Sequence, residues 1–158
     1  MLRSTWFVTL LLLAIVLPAG CGGDGASKEE FGQDVVAARD DADAGLAHIV
    51  DASSFEDLLE RMRTAAVDVR GAARDVREAE APDDLEDERD LLAKRLLALS
   101  DEIISTVETF ETIPDQAQAT RALNFEEWNS VQASLAELRR EGIEVAPLGR
   151  HSPQLQRQ

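Results

Sequence analysis

The chain has 158 residues, with 31 acidic and 16 basic side chains for a formal charge of −15, 4% aromatics, no tyrosine and one cysteine. That balance argues against nucleic acid, which needs a basic face to release counterions, and against charge-driven adsorption to anionic lipid headgroups. Sparse rings argue against a sugar- or base-stacking platform, and a lone cysteine permits no intramolecular disulfide.

Met1-Leu2-Arg3 is a short basic start, and from Trp6 to Leu17 only Thr9 is polar. As a helix that run covers ~18 Å, well short of a ~30 Å hydrocarbon core. Pro18, Ala19, Gly20 and Cys21 follow at once. A basic start, a short apolar stretch and a small-residue cleavage site predict a secretory signal over residues 1–20. Its removal takes Arg3 and no acid, leaving 138 residues with a charge of −16, enough for one domain with one core.

The stretch from Leu17 to Cys21 resembles the lipobox of bacterial lipoproteins, in which an aliphatic residue and two small residues precede a cysteine. Ala19 and Gly20 match the small pair and Cys21 the lipidated residue, while Pro18 separates Leu17 from them. The resemblance implies a diacylglyceryl group on Cys21, cleavage just before it, and an extracytoplasmic protein anchored to the cell membrane by lipid. Two acyl chains hold stably without a spanning helix.

Residues 21–27 are glycine-rich and predict a flexible tether. Ser27 and Glu30 form a capping box, and Phe31, Val35, Ala38, Ala42, Leu46 and Ile49 recur on one stripe, which predicts a first helix over 28–52. A second box from Ser53 to Glu56 opens a helix over 54–80. Its seam of Phe55, Leu59, Met62, Ala66, Val69, Ala73 and Val76 alternates steps of four and three. Gly71 within it is expected to let a neighbouring helix approach.

Pro82 ends that pattern, and acids then crowd a helix start, where the macrodipole favours them. Leu85, Leu92, Leu96, Leu99, Ile103, Val107 and Phe110 predict a third helix over 83–112, with Arg89 on or beside the stripe and Pro114 closing it. Asn124 and Glu127 form a further box before Phe125, Trp128, Val131, Leu135 and Leu138, which predict a fourth helix over 125–141 stopped by Gly142. Residues 146–158, with two prolines and no periodicity, read as a disordered tail. Four amphipathic helices with short breaks predict an all-α, antiparallel up-down four-helix bundle over 28–145.

Chemistry-bearing constellations are sparse. Glu78, Glu80, Asp83, Asp84, Glu86, Asp87, Glu88 and Asp90 cluster in thirteen positions, but without the spaced acids and glycine of a calcium loop. His48 and His151 lack the Glu three residues earlier that helical di-iron sites use. Ser100, Ser105 and Ser130 lie in helices without a nucleophile elbow. No catalytic, cofactor-binding or metal residue is therefore assigned. Arg89 is expected to pair with a carboxylate, to frame a small polar pocket or to snorkel at the bundle end, and Trp128 to sit in the core with its N–H on a partner.

The layout as a whole, with its lipobox, its tether and Ala81-Pro82-Asp83-Asp84-Leu85 ahead of an acidic helix, resembles small helical-bundle lipoproteins of the actinobacterial type. Many of those have a histidine about seven residues after the proline, where this chain has Arg89. The expectation is a non-enzymatic, lipid-anchored module whose partners are the membrane, through Cys21, and another envelope protein. The alternative is a small-ligand or divalent-cation sensor using the bundle interior or the acids of residues 78–90.

Overall fold

A computed structural model describes residues 27–113 and 125–149. Among these the secondary structure is helical, with no strand. Helix α1 spans Lys28–Val50, α2 Phe55–Glu78, α3 Glu86–Thr112 and α4 Glu126–Arg140, and a 3-10 turn, Asp83–Leu85, precedes α3. Helix α1 packs on α2, α2 on α3 and α3 on α4 around one core.

The periodic stripes are the buried faces. Every residue of the expected first and third stripes is buried, from Phe31 to Ile49 and from Leu85 to Phe110. On α2 the seam holds from Met62 to Val76, but Leu58 is buried where Leu59 was expected, and Phe55 and Leu59 are only partly buried. Phe55 instead stacks on Phe110 of α3, ring centroids 6.1 Å apart. The α2 face is rich in alanine (Ala65, Ala66, Ala72 and Ala73 are buried), which lets α3 come close enough for Ser100 Oγ to donate to the Ala66 carbonyl at 2.8 Å.

The helix ends are specified locally. Ser27 caps α1 with both bonds of the capping box made. The second cap lies one residue later than expected: Ser54 Oγ accepts from Asp57 N–H (3.1 Å), and the Asp57 carboxylate accepts from Ser53 N–H (2.7 Å) and Ser53 Oγ (2.9 Å). An aspartate at the third helical position thus replaces Glu56 of the expected box. Gly142 adopts φ +93°, donates to the Arg139 carbonyl and leaves Ile143 N–H to the Leu138 carbonyl at 3.0 Å. That pair of bonds is a Schellman stop, and a left-handed φ is what glycine supplies there.

Gly71 is not the point of close approach; a Cβ there would meet nothing within 4 Å. Gly45 fills that role, since a Cβ on it would sit 2.8 Å from Asp68 Cβ of α2. Steric need falls on α1 because Gly45 lies among its buried residues, whereas Gly71 is not among those of α2.

After the Schellman stop the chain runs as a strap between α1 and α4. Ile143, Val145 and Leu148 are buried at 2–3% exposure. Arg39 of α1 donates through Nε (3.1 Å) and Nη2 to the Pro147 carbonyl. From α4, Gln132 donates to the Leu148 carbonyl (2.9 Å) and accepts from its N–H (3.2 Å), and Arg139 donates to the Val145 carbonyl (3.3 Å). Residues 146–149, expected to begin a disordered tail, are thus packed. Three apolar side chains spaced two and three apart match neither helical nor strand period, so periodicity cannot register them.

Candidate functional site

Cys21, the expected lipidation site, and the signal before it lie outside the described residues, as do Pro114, Asn124 and His151. Among the described residues no helix is long and apolar enough to cross a membrane.

The start of α1 marks one end of the molecule. Lys28 Nζ lies 2.9 Å from Asp84 of the 3-10 turn and donates to the Glu141 carbonyl at the end of α4 (3.4 Å). The hydrogen bond to Asp84 raises the Lys28 pKa and lowers that of Asp84. Any tether entering Ser27 therefore joins the body beside the acidic stretch of residues 78–90.

That stretch is spread rather than gathered. Leu85 inserts fully into the core while Asp83, Asp84, Glu86 and Asp87 stay exposed around it. Asp90 pairs with Arg89 at 2.9 Å. No three histidine, cysteine or acidic side chains among the described residues converge on a point that could hold a metal ion. The Arg89 side chain is 19% exposed and pairs with Asp90, its neighbour in sequence, so the expected carboxylate pairing is met locally.

Trp128 departs from expectation. It packs partly buried against the core, but its Nε1 is buried with no hydrogen-bond partner among the described residues, where an unmade bond costs about 1–3 kcal/mol. Its position in the first turn of α4 explains this in part: the acceptor that reaches that turn, the Glu102 carboxylate, is engaged by backbone N–H groups. His48 is exposed on α1, and its carbonyl accepts from Arg61 Nη1 at 3.0 Å. Ser100 is buried and spends its hydroxyl on α2 rather than on its own helix.

Two polar residues that periodicity did not single out join α3 to α4. Arg95 Nη1 donates to the Ser130 carbonyl (2.9 Å) and to Ser134 Oγ (2.8 Å), and Ser134 is 3% exposed. Glu102 accepts from the N–H groups of Glu126 and Glu127. A charged residue near an apolar stripe is a weak signal of such a role, because snorkelling side chains look the same.

A surface groove of about 430 Å³ lies between α1 and α2, lined among others by Asp41, Gly45, His48, Asp68, Arg74 and Asp75. Its acids are spread along both helices, and its floor is made of small residues.

Comparisons with protein-family models, with curated proteins and with solved structures gave no match.

Proposed function

We infer that the chain is a lipid-anchored extracytoplasmic protein whose non-enzymatic body, an antiparallel up-and-down four-helix bundle, serves as a protein-interaction or envelope-associated module. The observation that carries this reading is the Ala19-Gly20-Cys21 lipobox behind a short apolar run. Helix α1 starts immediately after its Ser27 cap, which leaves residues 21–26 as a glycine-rich linker of ~20 Å reach at most. A diacylglyceryl cysteine, acylated by fatty acids such as palmitate, supplies the two chains that stable anchoring requires.

Support for the up-and-down arrangement comes from pairs whose numbers rise on one helix as they fall on the next. Gly45 meets Asp68 while the His48 carbonyl meets Arg61. Arg63 pairs with Glu111 while Arg70 pairs with Asp101. Arg95 reaches Ser130 and Ser134 while Glu102 reaches Glu126.

Mass spectrometry of the mature N-terminus tests the anchor, with a diacylglyceryl peptide beginning at Cys21 as the expected result. A Cys21→Ala variant is expected to leave the membrane fraction; if it still sediments with membranes, the anchor reading fails. Mild crosslinking of the lipidated protein in its own envelope is expected to recover a protein partner, and repeated recovery of none would sink the interaction role.

A further inference from the structure

The strap is held in a way that another copy of it could satisfy. Helices α1 and α4 pack on their chain neighbours, and between the two the strap stands in place of a direct helix–helix seam. Arg39 and Asp43 of α1, with Gln132 and Arg139 of α4, bond its main chain: the carbonyls of Val145, Pro147 and Leu148 and the N–H groups of Leu148 and Gly149. Among the described residues no polar contact reaches a strap side chain. Selection rests on apolar register instead. Ile143 lies beside Gly32 of α1, where a Cβ would come within 3.5 Å of it. Leu148 enters a gap lined by Val35, Val76, Leu92, Leu96, Val131 and Leu135, which come from all four helices. Main-chain bonds with pockets for spaced apolar side chains are how extended peptides are recognised. A second copy of this chain presents the matching peptide by identity.

The turn after α4 supplies a route. Val145 lies against Arg139 and Leu148 against Gln132, so the strap runs back antiparallel to α4. The reversal uses the left-handed φ of +93° at Gly142 and the bond from Ile143 N–H to the Leu138 carbonyl. Rotating Gly142 to an extended φ opens this hairpin and directs the strap away from its own slot. Two copies opened in this way meet with the C-terminal ends of their α4 helices facing across a two-fold axis. All bonds from residues 145–149 to α1 and α4 can then be remade between chains, and exchange of an identical element is a low-cost route to a dimer. Both bodies are acidic, so their repulsion keeps the closed monomer favoured when dilute.

We propose that the slot between α1 and α4 accepts residues 145–149 of a second copy, giving a two-fold dimer in which each core is completed by Leu148 of the partner subunit. The exchange concerns the folded body and does not depend on lipid at Cys21.

Sedimentation equilibrium of the full-length chain in density-matched detergent reads the association. The dimer fraction is expected to rise with protein concentration, and Gly142→Ala is expected to tighten the dimer by on the order of tenfold or more, because alanine strains the left-handed turn and not an extended one. A Cβ at that position meets nothing within 4 Å, so no clash contributes. To identify the exchanged element, a copy with photoreactive p-benzoylphenylalanine in place of the exposed Ala146 is mixed with an isotopically heavy copy. Irradiation is expected to join the light strap to heavy residues 32–43 or 131–139. This assay uses the parent turn, so it decides the matter even if the alanine variant does not fold. A dimer whose straps crosslink only within their own chain overturns the proposal. So does a folded Gly142→Ala chain no more associated than the parent, or an absence of light–heavy strap crosslinks at every concentration.

Discussion

Glu102 of α3 caps α4 through Glu126: its carboxylate accepts the Glu126 N–H at 2.7 Å and the next N–H, of Glu127, at 2.9 Å. No side chain from the Phe125 cap position does this work. A helix start that borrows its acceptor from a neighbour is tied to that neighbour's packing, so loss of Glu102 loosens both the α4 terminus and its seat on α3. Glu102→Ala is expected to cost about 1 kcal/mol, the usual cost of losing a cap. Hydrogen exchange should show the lost protection concentrated in the first turn of α4, and protection left unchanged there would refute the capping role.

The two helical glycines make opposite predictions. Gly45→Ala places a methyl 2.8 Å from Asp68 Cβ, so the α1–α2 pair must shift, at about 1–3 kcal/mol. Gly71→Ala meets nothing within 4 Å and gains helix propensity, about 0.5–1 kcal/mol of stabilisation. Urea titrations of both variants settle the assignment, since equal signs would contradict it.

Asp57 carries the clearest pH dependence. Hydrogen bonds from Ser53 N–H, Arg61 and Ser53 Oγ, in that order, lower its pKa from 3.8 to about 2. A carboxyl depressed in the folded state stabilises fully above its unfolded pKa and loses that contribution as pH falls through the folded one. Its share is thus complete above about pH 4 and gone near pH 2. Asp57→Asn is expected to lower Tm at neutral pH and to flatten the fall of Tm between pH 4 and pH 2. A melting curve as steep there as in the parent would show that other carboxyls govern the acid limb.

Leu148 tests whether the strap is part of the fold. At 3% exposure it shares a narrow interior gap with Val35, Leu92, Leu96, Val131 and Leu135, so Leu148→Ala is expected to cost about 2–3 kcal/mol. A residue of a loose tail would change stability by no more than about 0.5 kcal/mol. Chemical denaturation separates these outcomes. Gln132→Ala should act in the same direction, because its amide both donates to and accepts from Leu148.

What sequence could and could not reveal divides along physical lines. Every residue of the period-3.6 stripes on α1 and α3 is buried, though Gly45, Ala93 and Ser100 join those faces unannounced, and Gly142 announced its stop, because both signals are local and repeat or stand at a fixed offset. Ser53 and Ser54 are chemically equivalent caps, so only the Asp57 position decided between them. Gly45 and Gly71 likewise differ only in which neighbour faces them. The strap and the Glu102 cap rest on contacts between distant residues whose types are unremarkable, and no spacing rule reaches across 24 or 108 positions. At the candidate site, the lipobox-like order Ala19-Gly20-Cys21 is a matter of residue types at fixed positions, which sequence alone displays. The groove was invisible because its acids come from two helices.

The span of 108 positions between Arg39 and Pro147 bears on how the protein comes into being. Contacts between sequential helices close small loops, but one flank of α1 is completed only by residues more than a hundred positions further along the chain. Long-range closures of this type form late, because their entropy must be met before any contact rewards it. A nascent chain lacking residues 143–149 carries Val35, Val131 and Leu135 with one neighbour, Leu148, missing. The strap thus leaves the apolar interior open until Leu148 has been made and has reached it.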